Sequence, residues 1–171
     1  MIKILGAMLL VGSAAFVGIN ASGALSLRVG ILGGFLQALE IMRAEICENL
    51  TPLPDLIEGL SKKLRSPLSE FFGECYSEMS ERRDAPFRFI WNKNLVKAEY
   101  LRLKSSEIEV LSELGSVLGR YSAKEQERVI SHSERALSSF LERAREEKAR
   151  LGSLYAKLGV ICGISIVIVF I

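Results

Sequence analysis

Residues that could carry out chemistry are few and scattered in this sequence. There is one histidine, His132, and there are three cysteines, Cys47, Cys75 and Cys162. A histidine-rich metal site needs more imidazoles than this, and most catalytic triads need a histidine held beside a nucleophile. His132 lies in the polar middle of a predicted long helix, so we interpret it as a solvated helix residue. The sequence predicts no metal site.

The carboxylates and glycines also lack a catalytic pattern. No glycine-rich loop is followed by Lys and Ser or Thr, as a phosphate-binding loop requires. Acidic residues mostly stand at helix-surface spacing from basic ones, as Glu142, Glu146 and Arg150 do. General acid–base catalysis needs two carboxylates in a cleft with different environments, and nothing marks such a pair. We therefore predict no enzyme activity, no cofactor and no small-molecule substrate.

Charge and cysteine usage indicate the class of partner and the compartment. The net charge is only +2, whereas nucleic-acid binding needs a concentrated basic face, so nucleic acid is not predicted. Three cysteines without short spacing suit a reducing compartment. Cys47 and Cys75 could in principle form a disulfide, but nothing in the sequence requires it. The charged face of the long helix is a candidate partner surface, although a solvated face would look the same. Its candidate residues are Glu134, Arg135, Glu142 and Arg143.

The N-terminal end is uncharged from Ile4 to Leu27, which exceeds the roughly 20 residues that a helix needs to cross a membrane. Small residues along it would let another helix approach closely. A cleaved signal peptide ending near Ala24 is the alternative, but the apolar run is long and its positive region is Lys3 alone. We favour a retained anchor. The small residues are Gly6, Gly12, Ala15 and Gly18.

The C-terminal end is uncharged from Leu158 to Ile171, which is short for a span unless it extends back to Leu151. Tyr155 and Lys157 would then lie near the interface, and either a tilted span or a half-inserted anchor fits. We favour the span, for which Gly159 and Gly163 offer a close-packing spacing and Cys162 acts as a small hydrophobe. Basic residues flank both apolar ends on the side of the polar middle, so the positive-inside rule places that middle in the cytoplasm.

The polar middle is predicted to be all-α, because apolar residues recur at three-to-four spacing and no stretch alternates with period two. The fold class is a helical bundle between an N-terminal transmembrane helix and a C-terminal hydrophobic helix. Its segments are residues 1–27, 28–150 and 151–171. The first helix of the bundle has an apolar face formed by Leu32, Phe35, Leu36, Leu39, Met42, Ile46 and Leu50.

Helix starts are marked by prolines and capping residues. Thr51 is predicted to cap a helix that has Pro52 in its first position and Pro54 in its first turn, and Pro67 and Pro86 mark two more starts. Capping boxes are predicted at Ser106–Glu109 and Ser122–Glu125. The second opens a long helix with a stripe at seven-residue spacing, which fits packing within the bundle or, alternatively, a coiled coil with another copy of the chain. The stripe is Ile130, Leu137, Ala144, Leu151 and Leu158.

The order of these pieces resembles the stage III sporulation protein AB family over essentially the whole chain. The most specific piece is Thr51-Pro52-Leu53-Pro54; a central Trp91 and the terminal Leu158-Gly159-Val160 accompany it. One departure is Ser122, where the family usually has aspartate. Other motif residues are Glu40, Glu45, Leu114, Gly115, Leu118, Gly119 and Gln126.

The resemblance implies a role in the sporulation channel complex between mother cell and forespore. The family's soluble region is similar to the cytoplasmic domain of type II secretion and type IV pilus platform proteins. By that analogy the chain would be a platform in the mother-cell membrane, with partners that include other channel proteins and a cognate cytoplasmic motor ATPase. The alternative is a membrane-anchored regulatory or adaptor protein that binds a signalling partner.

Overall fold

The computed structural model describes the backbone of residues 2–82 and 84–170 and the side chains of residues 23–82 and 84–151. Six α-helices and one 3₁₀ turn, Glu99–Leu101, account for the ordered elements, and the described residues contain no strand. This confirms the all-α prediction. The helices are α1 Ile2–Cys47, α2 Leu53–Lys63, α3 Leu68–Glu81, α4 Phe87–Lys97, α5 Ser105–Val117 and α6 Ala123–Phe170.

The chain divides into two compact units. The central unit is Gly30–Leu141, and the terminal unit combines Met1–Val29 with Glu142–Ile171. Both boundaries fall inside helices, since α1 continues through Val29 and α6 through Leu141. The segment boundaries at residues 27 and 150 stay predictions.

An aromatic cluster forms the core of the central unit. Phe35 of α1, Phe71 and Phe72 of α3, and Trp91 of α4 are all fully buried. The ring centroids of Phe71 and Trp91 are 5.1 Å apart, and those of Phe71 and Phe72 are 5.2 Å apart, both in edge-to-face geometry. Such pairs add about 0.5–1.5 kcal/mol each beyond the burial of their area. The cluster therefore fixes three helices around one centre.

The apolar face predicted for α1 is largely confirmed. Its residues are buried apart from Leu36, which is half-buried, and Leu50, which is 74% exposed and lies outside the helix. The helix ends earlier than predicted, at Cys47, because Leu50 adopts a left-handed φ of 51° and the Thr51 amide turns back to donate to the Glu45 carbonyl at 2.9 Å.

The prolines precede helices as predicted, but three details of the capping were wrong. Pro52 is the residue before α2 rather than its first position, and Thr51 does not cap that helix, because its hydroxyl donates to Glu45 instead. At α5 the helix begins at Ser105, and Glu107 accepts the backbone N–H of Lys104 at 2.8 Å. The box predicted at Ser106–Glu109 is therefore displaced by two residues toward the N-terminus.

The second predicted cap and the long helix are confirmed. Ser122 Oγ accepts the backbone N–H of Glu125 at 3.4 Å, and α6 then runs without a break to Phe170. Ile130 and Leu137 are fully buried, as the seven-residue stripe predicted. A long charged helix thus contributes one apolar face to the central unit.

One stretch within the described side chains, Gly23–Cys47, is long and apolar enough to cross a membrane, and a third of its most apolar window is buried in the protein. A core helix passes the same test, and the inner portion of this stretch lies in the core of the central unit. Several predictions rest on side chains outside the described residues. These are Gly6, Gly12, Ala15, Gly18, Tyr155, Lys157, Gly159, Cys162 and Gly163.

Candidate functional site

Several of the motif residues meet where the segment joining α1 to α2 packs on the turn between α5 and α6, whereas Glu40 is exposed on α1. Glu45, Thr51 and Leu53 approach this place from one side, and Gly119 and Gln126 from the other. We call these five residues the junction. All of them belong to the central unit, so the structure brings together two motifs that stand more than half the body apart in sequence.

Glu45 gathers three donors at one side of the junction. Its Oε2 accepts the hydroxyl of Thr51 at 2.7 Å and the amide of Asn49 at 3.0 Å, and its Oε1 accepts Lys63 Nζ at 3.3 Å. These hydrogen bonds, that of Thr51 above all, lower the pKa of the Glu45 carboxyl from 4.5 to about 2. The carboxylate thus holds the end of α1, the following segment and the end of α2 together.

Gln126 fixes the turn on the other side. Its Oε1 accepts the backbone N–H of Gly119 at 3.1 Å, and its Nε2 donates to the carbonyl of Tyr121 at 2.8 Å. The side chain is buried at the start of α6. One carboxamide therefore supplies a donor and an acceptor to backbone groups that no helix satisfies.

Gly119 and Leu53 close the contact between the two sides. Gly119 has a φ of +71°, in the left-handed region that glycine adopts without strain. A Cβ built there would lie 2.6 Å from Leu53 Cδ2. The backbone conformation favours glycine at this position, and a Cβ there would also force the Leu53 side chain to move, which gives a physical reason for the Leu-Pro and Leu-Gly motifs to occur together.

Gly115 has a related role about one helical turn earlier in the chain. A Cβ on Gly115 would collide with the indole of Trp91, whose Nε1–H donates to the Leu111 carbonyl at 2.7 Å. Leu114 and Leu118 beside it are buried. Trp91 is therefore a packing anchor between α4 and α5, and Gly115 of the α5 motif leaves the space that its indole occupies.

The junction has the chemistry of a structural contact. A groove of about 220 Å³ beside it is lined by residues that include Ile46, Leu53 and Gln126, and none of its lining side chains is titratable. Among the described residues no three His, Cys, Asp or Glu side chains come together in a way that could hold a metal ion. Cys47 and Cys75 are free thiols; burial raises the pKa of Cys75 to about 12, so its thiolate is disfavoured.

The four residues of the predicted partner surface do not share one environment. Glu134 is turned toward α1, where its carboxylate forms an ion pair with Arg43. Arg135 is exposed and donates to the Ser131 carbonyl of its own helix at 3.2 Å. Glu142 and Arg143 are exposed and belong to the terminal unit. A partner role for them stays a prediction.

Two exposed residues with interface character were missed in the sequence. Phe89 and Val96 stand seven apart in α4, opposite the buried Ile90, Trp91 and Leu95. The signal was present, because apolar residues occur on both faces of this short helix. The exposure of Phe89 is hard to predict because the next two residues, Ile90 and Trp91, belong to the core.

The fold and the junction define a class: an all-helical domain whose first and last helices continue into uncharged chain ends, with its motif residues used for internal packing. The model of the Stage III sporulation protein AB family matches residues 3–171. The chain belongs to this family, and the family supports a role in sporulation.

Two relatives agree with this assignment. Stage III sporulation protein AB of Bacillus subtilis (strain 168) is 26% identical over 169 residues, which cover 98% of each chain. A solved structure of Stage III sporulation protein AB (SpoIIIAB) superposes with a TM-score of 0.65 at 26% identity and covers 72% of this chain and 98% of the solved one.

Proposed function

We propose that the chain is a non-enzymatic membrane platform of the secretion-like sporulation channel between mother cell and forespore. Its ends anchor it in the mother-cell membrane, and its central unit faces the cytoplasm and docks a motor ATPase. Other channel-complex proteins are its further partners. This proposal adds a location, the mother-cell membrane, and a partner, the motor ATPase, to the sporulation role of the family.

The observation that carries the proposal is the continuity of the terminal helices. α1 begins at Ile2, contains the whole uncharged run from Ile4 to Leu27 and continues into the core of the central unit, and α6 leaves that core and continues to Phe170. Both uncharged ends therefore join the central unit through helix, without an intervening linker segment. Two such helices suit a platform better than a flexible tether, which would need only a linker.

The junction supports the proposal indirectly. Its side chains satisfy one another, and Pro52 and Pro54 are the exposed residues of the Thr-Pro-Leu-Pro motif. The polar side chains of the junction are already engaged in hydrogen bonds within the central unit. The proposed docking therefore uses surface residues outside the junction.

The first test is genetic. The gene is deleted in the source organism, and spore formation is followed by microscopy with a late forespore reporter. A block at or after engulfment is expected, with rescue by the full-length gene. The triple variant Leu9→Asp, Val11→Asp and Phe16→Asp breaks the first apolar run without shortening the chain, and it should fail to rescue. Normal spores in the deletion strain would contradict the proposed role.

The second test is biochemical. Full-length protein in detergent is mixed with the purified ATPase, and their association is measured by calorimetry. Binding with a Kd in the micromolar range or below is expected for a docking contact. Absence of binding, together with co-purification of a signalling protein, would favour the regulatory adaptor instead.

A further inference from the structure

The outward face of α4 carries two large apolar side chains in solvent. Phe89 is 55% exposed and Val96 is 70% exposed. Residues seven apart on a helix lie on one face, about 10.5 Å apart along its axis. Single exposed apolar residues are ordinary on a protein surface, so the surroundings of this pair decide whether it marks an interface.

These residues line a concave surface. Phe89, Val96, Arg88 and Lys93 border an open groove of about 560 Å³. A second groove, of about 380 Å³, is bordered by Arg88 and Arg120, so the two grooves adjoin at Arg88, which lines both. We call Arg88, Phe89, Lys93, Val96 and Arg120 the Phe89 surface.

The charge of the Phe89 surface has one sign. No acidic side chain lines either groove. Lys93 Nζ lies 2.6 Å from Glu78 of α3, which neutralises much of its charge. Arg88 and Arg120 make no ion pair with the described residues, and Arg120 instead lies over the ring of Tyr121, 5.7 Å from its centroid. Two arginines thus offer their guanidinium groups at the edge of an apolar groove.

We infer that the Phe89 surface binds an amphipathic helix of a partner protein, with apolar side chains in the groove and carboxylates on Arg88 and Arg120. Apolar anchors at helical spacing are the usual way in which such a helix occupies a groove. Arginine is suited to carboxylate recognition because its planar fork can make two parallel hydrogen bonds. The inference rests on the proposed function, since it assigns this helix to the motor ATPase.

The charge argues against a second copy of this chain as the occupant. In a two-fold dimer the same surface meets itself, so two surfaces that both carry Arg88 and Arg120 and no lining carboxylate would approach each other. Like charges that meet in a contact cost free energy and suppress that pairing. An acidic partner relieves the repulsion, which is why the complementary occupant is favoured.

The test uses the full-length chain in detergent and the full-length ATPase. Phe89→Ser removes an apolar anchor, and Arg88→Glu reverses a guanidinium charge; both residues are exposed, so the fold should keep its helical circular dichroism and Trp91 fluorescence. Leu50→Ser and Lys124→Glu are matched controls, because they change an exposed apolar and an exposed basic residue outside the surface. Kd is measured by calorimetry at low and high salt.

Each surface variant is expected to raise Kd about tenfold or more, the scale of an interface hot spot, while the controls stay within about twofold. The wild-type affinity should fall with salt, because the contact is between opposite charges. Wild-type binding that both surface variants retain would overturn the inference and leave the proposed function intact. No wild-type binding would overturn both. Sedimentation that shows self-association lost in the variants, with ATPase binding kept, would assign the surface to a second copy and overturn the inference.

Discussion

The indole of Trp91 occupies the space that a side chain at Gly115 would need. Its Nε1–H also donates to the Leu111 carbonyl at 2.7 Å, one helical turn before that glycine. The contact and the hydrogen bond hold α4 and α5 in a single register. Because Trp91 also touches Phe71 in the aromatic core, an error at Gly115 would reach the centre of the unit.

Gly115→Ala should therefore destabilise the protein, although alanine normally favours a helix. The added methyl forces the buried indole to move, and overpacking of this kind costs about 1–3 kcal/mol, against about 1 kcal/mol gained in helix propensity. We expect a net loss in the free energy of unfolding. Trp91 is the sole tryptophan, so its fluorescence during denaturant unfolding of the full-length protein reports directly on this site.

Gly59→Ala is the matched control, since Gly59 lies within α2 and nothing stands within 4 Å of a Cβ built there. Gly59→Ala should raise the free energy of unfolding by about 0.5–1 kcal/mol. The two glycine-to-alanine substitutions are thus expected to change the free energy of unfolding in opposite directions. If Gly115→Ala were as stable as Gly59→Ala, the Trp91 indole would not be packed tightly against Gly115.

The helical class and the apolar face of α1 follow from periodicity, which survives because each helix buries one face against a shared core. The positions of the motif residues were also evident. The purpose of Glu45 and Gln126 was not evident, because each side chain reaches from a helix into an irregular segment beside it rather than along a helix face. A carboxamide that links the backbones of Gly119 and Tyr121 leaves no periodic trace.

The errors have local causes. Threonine before proline is typical of a residue that caps a helix, but the Thr51 hydroxyl donates to the Glu45 carboxylate and does not cap α2. The box at Ser106 fitted the sequence pattern, whereas Glu107 reaches back to Lys104 and starts the helix earlier. In both cases an acidic side chain made the decisive hydrogen bond, and its reach could not be read from spacing alone.

Replacing Gln126 should loosen the turn before α6. Gln126→Leu keeps the bulk but leaves the Gly119 N–H and the Tyr121 carbonyl without their partner. Because Gly119 and Tyr121 are exposed, water can replace part of the lost hydrogen bonding, so each bond is worth about 1 kcal/mol. We expect a loss of that order in denaturant unfolding, with the largest rise in amide hydrogen exchange at Gly119. Lys124→Ala, exposed in the same helix turn, should leave exchange at Gly119 unchanged.

Glu134 is expected to act within the chain through its pair with Arg43. The two side chains are partly shielded from solvent, so their coupling should reach about 1 kcal/mol, the upper end for surface pairs. A double-mutant cycle with Arg43→Gln and Glu134→Gln measures it in the full-length protein. Arg135→Gln, next in sequence and exposed, should not couple to Arg43. A coupling energy near zero for the pair would return Glu134 to the candidate partner surface.

Acid should weaken the junction through Glu45. Its pKa in the folded protein, about 2, lies below the ordinary 4.5, so protonation favours the unfolded state. The stabilisation is therefore complete above about pH 4.5 and is lost as the pH falls from there toward 2.

Thr51→Val removes the hydrogen bond that lowers the pKa of Glu45 most, and should flatten the loss of stability over that interval. Thr51→Ser keeps the hydroxyl and should restore the wild-type slope. Because Lys93 lowers the pKa of Glu78 as well, the informative quantity is the difference between the two Thr51 variants in unfolding free energy against pH. Equal slopes for valine and serine would show that the Thr51 hydroxyl does not set the titration of Glu45.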